Sequence, residues 1–162
     1  MIDQRHLAVY LDDHNALMTA EKELLERTRG ENPQPPLGPF LSDCRMAVQE
    51  QQNIIQQLLT RLGESPNLIK QGAAWMAEKV GRFKPNASLL EYSPLSRVLE
   101  LETLFLAAQE RGLCWQTLSH VLHDEVEFSQ FTFRDYEQQA IQQAETLKSH
   151  YFESTLEAFK QK

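Results

Sequence analysis

The sequence predicts an all-α protein built from four long amphipathic helices, and three observations carry that prediction. Apolar residues recur at spacings of three and four along four stretches, each about 25 residues long and so nearly 40 Å as a helix. Glutamate, glutamine and leucine are abundant while only 6 of the 162 residues are glycine, a composition of helices rather than of strands and turns. The breaks between the stretches carry helix-stopping and helix-starting residues in the order that separate helices require. A chain of this length buries one core, so a single domain over residues 1–162 is expected. Each helix alone would leave its apolar stripe in water, so the four must pack together.

The first helix is expected from Asp3, a good N-cap, to about Arg29, with Leu7, Tyr10, Leu11, Leu17, Met18, Leu24 and Leu25 on its stripe. Gly30 should end it, and Pro33, Pro35 and Pro36 forbid its continuation. The second helix follows from Leu37 or Pro39 to Leu62 on Leu41, Cys44, Val48, Ile55 and Leu58, with Gly63 supplying the left-handed residue that closes it. Gln49-Glu50-Gln51-Gln52 reads as its solvated face. An extra short helix is expected in the connection between helices two and three, capped by Ser65, opened by Pro66 and closed at Gly81, before an irregular stretch from Arg82 to Tyr92.

Ser93-Pro94 repeats the cap-then-proline signature and opens the third long helix, with Leu95, Val98, Leu99, Leu101, Phe105, Leu106 and Trp115 as its apolar surface and Gly112 as a point of bending. It should fray between His120 and Asp124. The fourth helix begins at Thr132, whose hydroxyl is placed to cap it, with Asp135 in the first turn and Phe131 placed to staple onto Tyr136. Its stripe runs through Tyr136, Ala140, Ala144, Leu147, Tyr151, Ala158 and Phe159.

Charge removes whole classes of partner. The formal net charge is −7, so a nucleic-acid surface would need a dense basic patch, yet the densest run, Lys79 to Lys84, holds three cations. Neither nucleic acid nor an anionic membrane is an expected partner. No run approaches the roughly 18 to 20 apolar residues of a membrane helix, and the first residues lack a signal-peptide layout, so a cytoplasmic location is expected. Cys44 and Cys114 fit that compartment as free thiols on apolar stripes.

Two long hairpins joined by some 30 residues is also the layout of the ferritin-like superfamily. The stretches QGAAWMAEKVGRFK, residues 71–84, and YSPLSRVLELE, residues 92–102, resemble a family of uncharacterised bacterial ferritin-like proteins. The resemblance implies a ferritin-like four-helix bundle over the whole chain, and it brings no established activity. Di-iron members of the superfamily carry a Glu-x-x-His pair on each of two helices. No glutamate here has histidine three residues on: Glu50 meets Asn53 and Glu145 meets Lys148. The standard di-iron site is therefore absent, and with it the expectation of ferroxidase or oxygenase chemistry.

Polar groups among the apolar stripes mark the remaining candidate sites, because such groups are costly there unless paired. His14 and Glu21 lie seven apart on the first stripe, Glu102 sits between Leu99 and Phe105, and Glu50 and His150 edge their stripes. With the third helix parallel to the first, His14, Glu50, Glu102 and His150 would stand near one level, an atypical site for a divalent ion such as iron or zinc. The alternative is a set of inward polar groups hydrogen-bonded to one another, with no cofactor. His120 and His123, three apart at a helix end, offer a second metal-spaced pair against a simple helix-dipole role. Trp75, Tyr92 and Trp115 read as core aromatics, and no phosphate-binding glycine loop, nucleophile elbow or CxxC is present.

No catalytic constellation emerges, so the expected role is non-enzymatic and carried by contacts. Ile54-Ile55, Leu58-Leu59 and Leu104-Phe105-Leu106 exceed what one core face accepts, which predicts a homodimer or another partner surface.

Overall fold

A computed structural model describes residues 2–63 and 92–160, which form four long helices and one short 3₁₀ turn, with no strand among the described residues. The extra connecting helix expected after Ser65, Trp75, and most of the stretch beginning at Arg82 lie outside the described residues. Two compact units result, Met1–Ser93 and Pro94–Lys162.

In the first unit, α1 spans Gln4–Glu31 and α2 spans Leu37–Arg61. Asp3 caps α1 as expected, its carboxylate accepting the backbone N–H groups of Arg5 and His6, each at 3.1 Å. Gly30 does not stop the helix. Asn32 does so two residues later, donating its backbone N–H to the Thr28 and Arg29 carbonyls and its side-chain amide to the Thr28 carbonyl and the Tyr92 hydroxyl. At the far end of α2, Gly63 takes φ 78°, the left-handed conformation for which glycine is suited.

The hairpin is antiparallel, since Glu26 pairs with Arg45, Lys22 with Gln49 and Thr19 with Gln52. Leu11, Met18 and Leu25 are buried on α1, and Leu41, Val48, Ile55, Leu58 and Leu59 on α2. Leu58 and Leu59 are thus both core, so α2 has less surplus apolar surface than its sequence implies. The Gln49-to-Gln52 face also differs from expectation. Gln51 and Gln52 are 0% and 3% exposed. Gln51 continues the series Cys44, Val48, Gln51, Ile55, Leu58 at alternating steps of four and three, and a residue in that series faces inward whatever its polarity. Gln52 offsets the desolvation of its amide by donating to the Asn15 carbonyl and the Thr19 hydroxyl at 2.9 and 2.8 Å.

In the second unit, α3 spans Pro94–Val121, a 3₁₀ turn spans Val126–Phe128, and α4 spans Phe133–Phe159. Pro94 opens α3 where expected, and Gly112 stays helical, leaving room for Ala140 to approach to 3.7 Å of the position a Cβ would take. Thr132 stands at the N-cap of α4, but its hydroxyl makes no capping bond. The Thr132 carbonyl instead accepts the N–H groups of Asp135 and Tyr136. This hairpin is antiparallel too, with Arg97 on Glu157, Arg111 on Gln143 and Trp115 against Tyr136.

Its core holds Leu101, Leu104, Ala108, Trp115 and Leu118 from α3 with Phe133, Ala140, Ala144 and Leu147 from α4. Trp115 is wholly buried, stacked on Phe133 at 6.1 Å and tilted on Tyr136 at 4.9 Å. Cys44 and Cys114 are buried and form no disulfide with each other. Among the described residues no helix is long and apolar enough to cross a membrane.

The Asp3 cap makes the first turn of α1 sensitive to acid. The His6 N–H bond is the main influence holding the Asp3 carboxyl below its ordinary 3.8; desolvation opposes it, and the His6 charge, the Arg5 N–H and the Arg5 charge add to it. A depressed folded pKa contributes stability above 3.8 that is lost as pH falls through the folded value. The Arg5 and His6 amide resonances should therefore titrate with a midpoint below 3.8, and Asp3→Asn, which still caps, should remove that titration while keeping the turn. A midpoint above 3.8 would contradict the cap geometry.

Candidate functional site

The polar residues singled out from the sequence separate by burial. His14 is 6% exposed on α1, with the Tyr10 ring set edge-on at 4.3 Å, and Glu21 one heptad later is buried as well. Glu50 and Glu102 are exposed. His150 is partly buried, and its Nδ1 lies 3.3 Å from the Glu153 carboxylate one turn on. Within each hairpin, among the described residues, no group of three or more His, Cys, Asp and Glu side chains is drawn together in a way that could hold a metal ion. Glu50 and Glu102 thus face outward on their hairpins, whereas His14 faces inward.

The buried acid of α3 is Glu100 instead of Glu102, and Arg111 is buried as well at 1% exposure. Two residues turn a helix by about 200°, so placing the wrong glutamate inward reverses the whole face. Arg111 occupies the series Leu104, Ala108, Arg111, Trp115, Leu118, and that spacing is a sequence signal for its burial. Its guanidinium donates to the Gln143 side-chain oxygen at 2.7 Å, a polar link between α3 and α4 beside the Trp115 cluster.

Where α3 ends and α4 begins, a surface groove of about 440 Å³ is lined by Gln116, Ser119, His120, His123, Arg134 and Glu137. The His120–His123 pair borders it, but His123 is held by its own chain. Its Nδ1 lies 2.9 Å from the His120 carbonyl oxygen and its Nε2 2.9 Å from the Asp124 carboxylate. Both ring nitrogens thus have local partners, which favours a role in shaping the helix end over metal ligation.

The larger departure from an ordinary surface is apolar. Leu95, Leu99, Leu106 and Leu113 of α3 are 48%, 50%, 57% and 61% exposed, although the spacing predicts the first three on the packing stripe. Leu106 stands about 200° around the helix from the buried Leu104, so these leucines occupy the side of α3 opposite its core face. On α4, Ile141, Phe152, Leu156 and Phe159 are 45–68% exposed, and Phe159 likewise leaves the stripe on which its spacing places it. A helix that is apolar on opposite sides is characteristically covered on both. The second hairpin therefore carries two apolar flanks, and the exposed leucines of α3 leave on the order of 400 Å² of apolar surface, near the size of functional patches on monomers.

Comparison with protein-family models, curated proteins and solved structures finds no match.

Proposed function

We propose that this chain is a non-enzymatic helical-bundle protein, of the ferritin-like kind, that works by associating with copies of itself through its second hairpin. The observation that carries the reading is the leucine stripe of α3, 48–61% exposed on the side away from a complete core face. Burying apolar surface at about 25 cal/mol per Å² supplies a driving force for association, and leaving four leucines in water gives a monomer no compensating gain. The buried polar residues Gln52 and Arg111 support this reading, because each ties the two helices of its own hairpin together through hydrogen bonds.

Size-exclusion chromatography with light scattering tests the reading. The mass should rise above that of the 18.7 kDa chain as concentration increases through the micromolar range. A constant monomer mass up to several hundred micromolar would overturn it.

A further inference from the structure

The exposed flanks of α3 and α4 match each other in spacing and complement each other in charge. On α3 the outward series is Leu95, Glu102, Leu106 and Leu113, at steps of seven, four and seven residues. On α4 it is Ile141, Lys148, Phe152 and Phe159, again at seven, four and seven. Each series places three large apolar side chains and one charge on nearly one line of a helix, because steps of seven and eleven residues return close to the same angle. The charge holds the second place in both, negative on α3 and positive on α4.

From this correspondence we infer that one copy's α3 seats along its partner's α4, the two helices running parallel, with Glu102 against the partner's Lys148. Leu95, Leu106 and Leu113 then lie against the partner's Ile141, Phe152 and Phe159. Spacing alone does not choose the direction, since seven, four, seven reads the same backwards. Charge does: the parallel arrangement joins Glu102 to Lys148, whereas the antiparallel one would press each of them onto an apolar side chain without its counter-ion. In the isolated chain Lys148 has a loose pairing with Glu145 at 3.9 Å, with both side chains about half exposed or more, and an exposed pair of that kind is easily exchanged.

A copy of this chain is the occupant that the flanks specify, because each supplies the complement of the other. The contact is heterologous, with one copy giving α3 and the next α4, so each docked pair retains one open flank of each kind and association continues into a ring or a chain of copies. An apolar patch on the order of 400 Å² per side puts the contact at the lower end of specific interfaces, where affinities are modest and concentration matters.

This inference rests on the self-association proposed above, and charge reversal separates the two. Glu102→Lys and Lys148→Glu change exposed positions, so circular dichroism should show both variants folded. Each would set like charges against each other in its own assemblies and weaken association at least about tenfold, by sedimentation velocity at matched concentration. An equimolar mixture of the two variants should regain the wild-type mass. In the mixture the reversed charges, one at position 102 and the other at position 148, face each other across one contact, while the original Glu102–Lys148 contact survives in the reverse direction. Wild-type assemblies that neither reversal weakens, or weakened variants that fail to recover on mixing, would overturn this pairing and leave self-association standing. A wild-type protein that stays monomeric would overturn both.

Discussion

Trp115→Ala is expected to destabilise the second hairpin by about 3–5 kcal/mol, the range for deleting a fully buried large aromatic side chain. Trp115 is 0% exposed and touches Phe133 at the first turn of α4 and Tyr136 one turn later. Its removal takes away the transferred apolar area and leaves a cavity that two rings on one short helical segment cannot both fill. Phe131, stacked on Phe133 at 5.8 Å, would lose its support as well, so the damage should spread into the chain between the two helices. Thermal unfolding should show a midpoint lower by roughly 6–20 °C for a chain of this size. As a control, Val126→Ala, at a side chain 86% exposed, should change stability by less than about 0.5 kcal/mol. Equal effects at the two positions would contradict the packing of Trp115.

Gly38→Ala is expected to cost about 3 kcal/mol, at the upper end for overpacking, while Gly30→Ala in the same hairpin should stabilise by about 0.5–1 kcal/mol. A Cβ at Gly38 would fall on the Pro33 carbonyl group and within 2.8 Å of the Asn32 carbonyl oxygen. Those are backbone atoms of the turn joining α1 to α2, and that turn is anchored by the Gly38 N–H donating to the Gln34 carbonyl at 3.0 Å. No side-chain rotation relieves such a contact, so the turn or the first turn of α2 must shift. Gly30 has nothing within 4 Å of its would-be Cβ and lies in the last turn of α1. Alanine there removes unfolded-state freedom and adds no clash. Chemical denaturation of both variants checks the opposite signs, and a stabilising Gly38→Ala would contradict the close approach of the turn.

The two glycines show which information is local. Glycine before a proline-rich stretch reads as a helix end, and Gly30 carries that signal without performing the role. The stop belongs to Asn32, whose side chain reaches both the Thr28 carbonyl and Tyr92, a residue 60 positions away. Gly63 is legible because its role depends on its own φ, and Asp3 because its partners are the next turn's amides. For Thr132 the N-cap position is legible but the hydroxyl's bond is not, since position does not fix a rotamer.

By itself the sequence determined the four long helices, most of their ends and the burial of Leu11, Val48, Leu101, Trp115 and Ala140. Caps, prolines and a strong apolar spacing act within a few residues, so they are written in the chain where they operate. Tertiary structure decided which of several apolar sides turns inward. For α3, apolar nearly all around, spacing permits Leu104 or Leu106, Glu100 or Glu102, to face the core. The contacts with α4 through Arg111, Gly112 and Trp115 select one side and leave the other leucines outside. An amphipathic period gives an angle around the helix axis, whereas the direction of the core is set by the neighbouring helix that α3 meets.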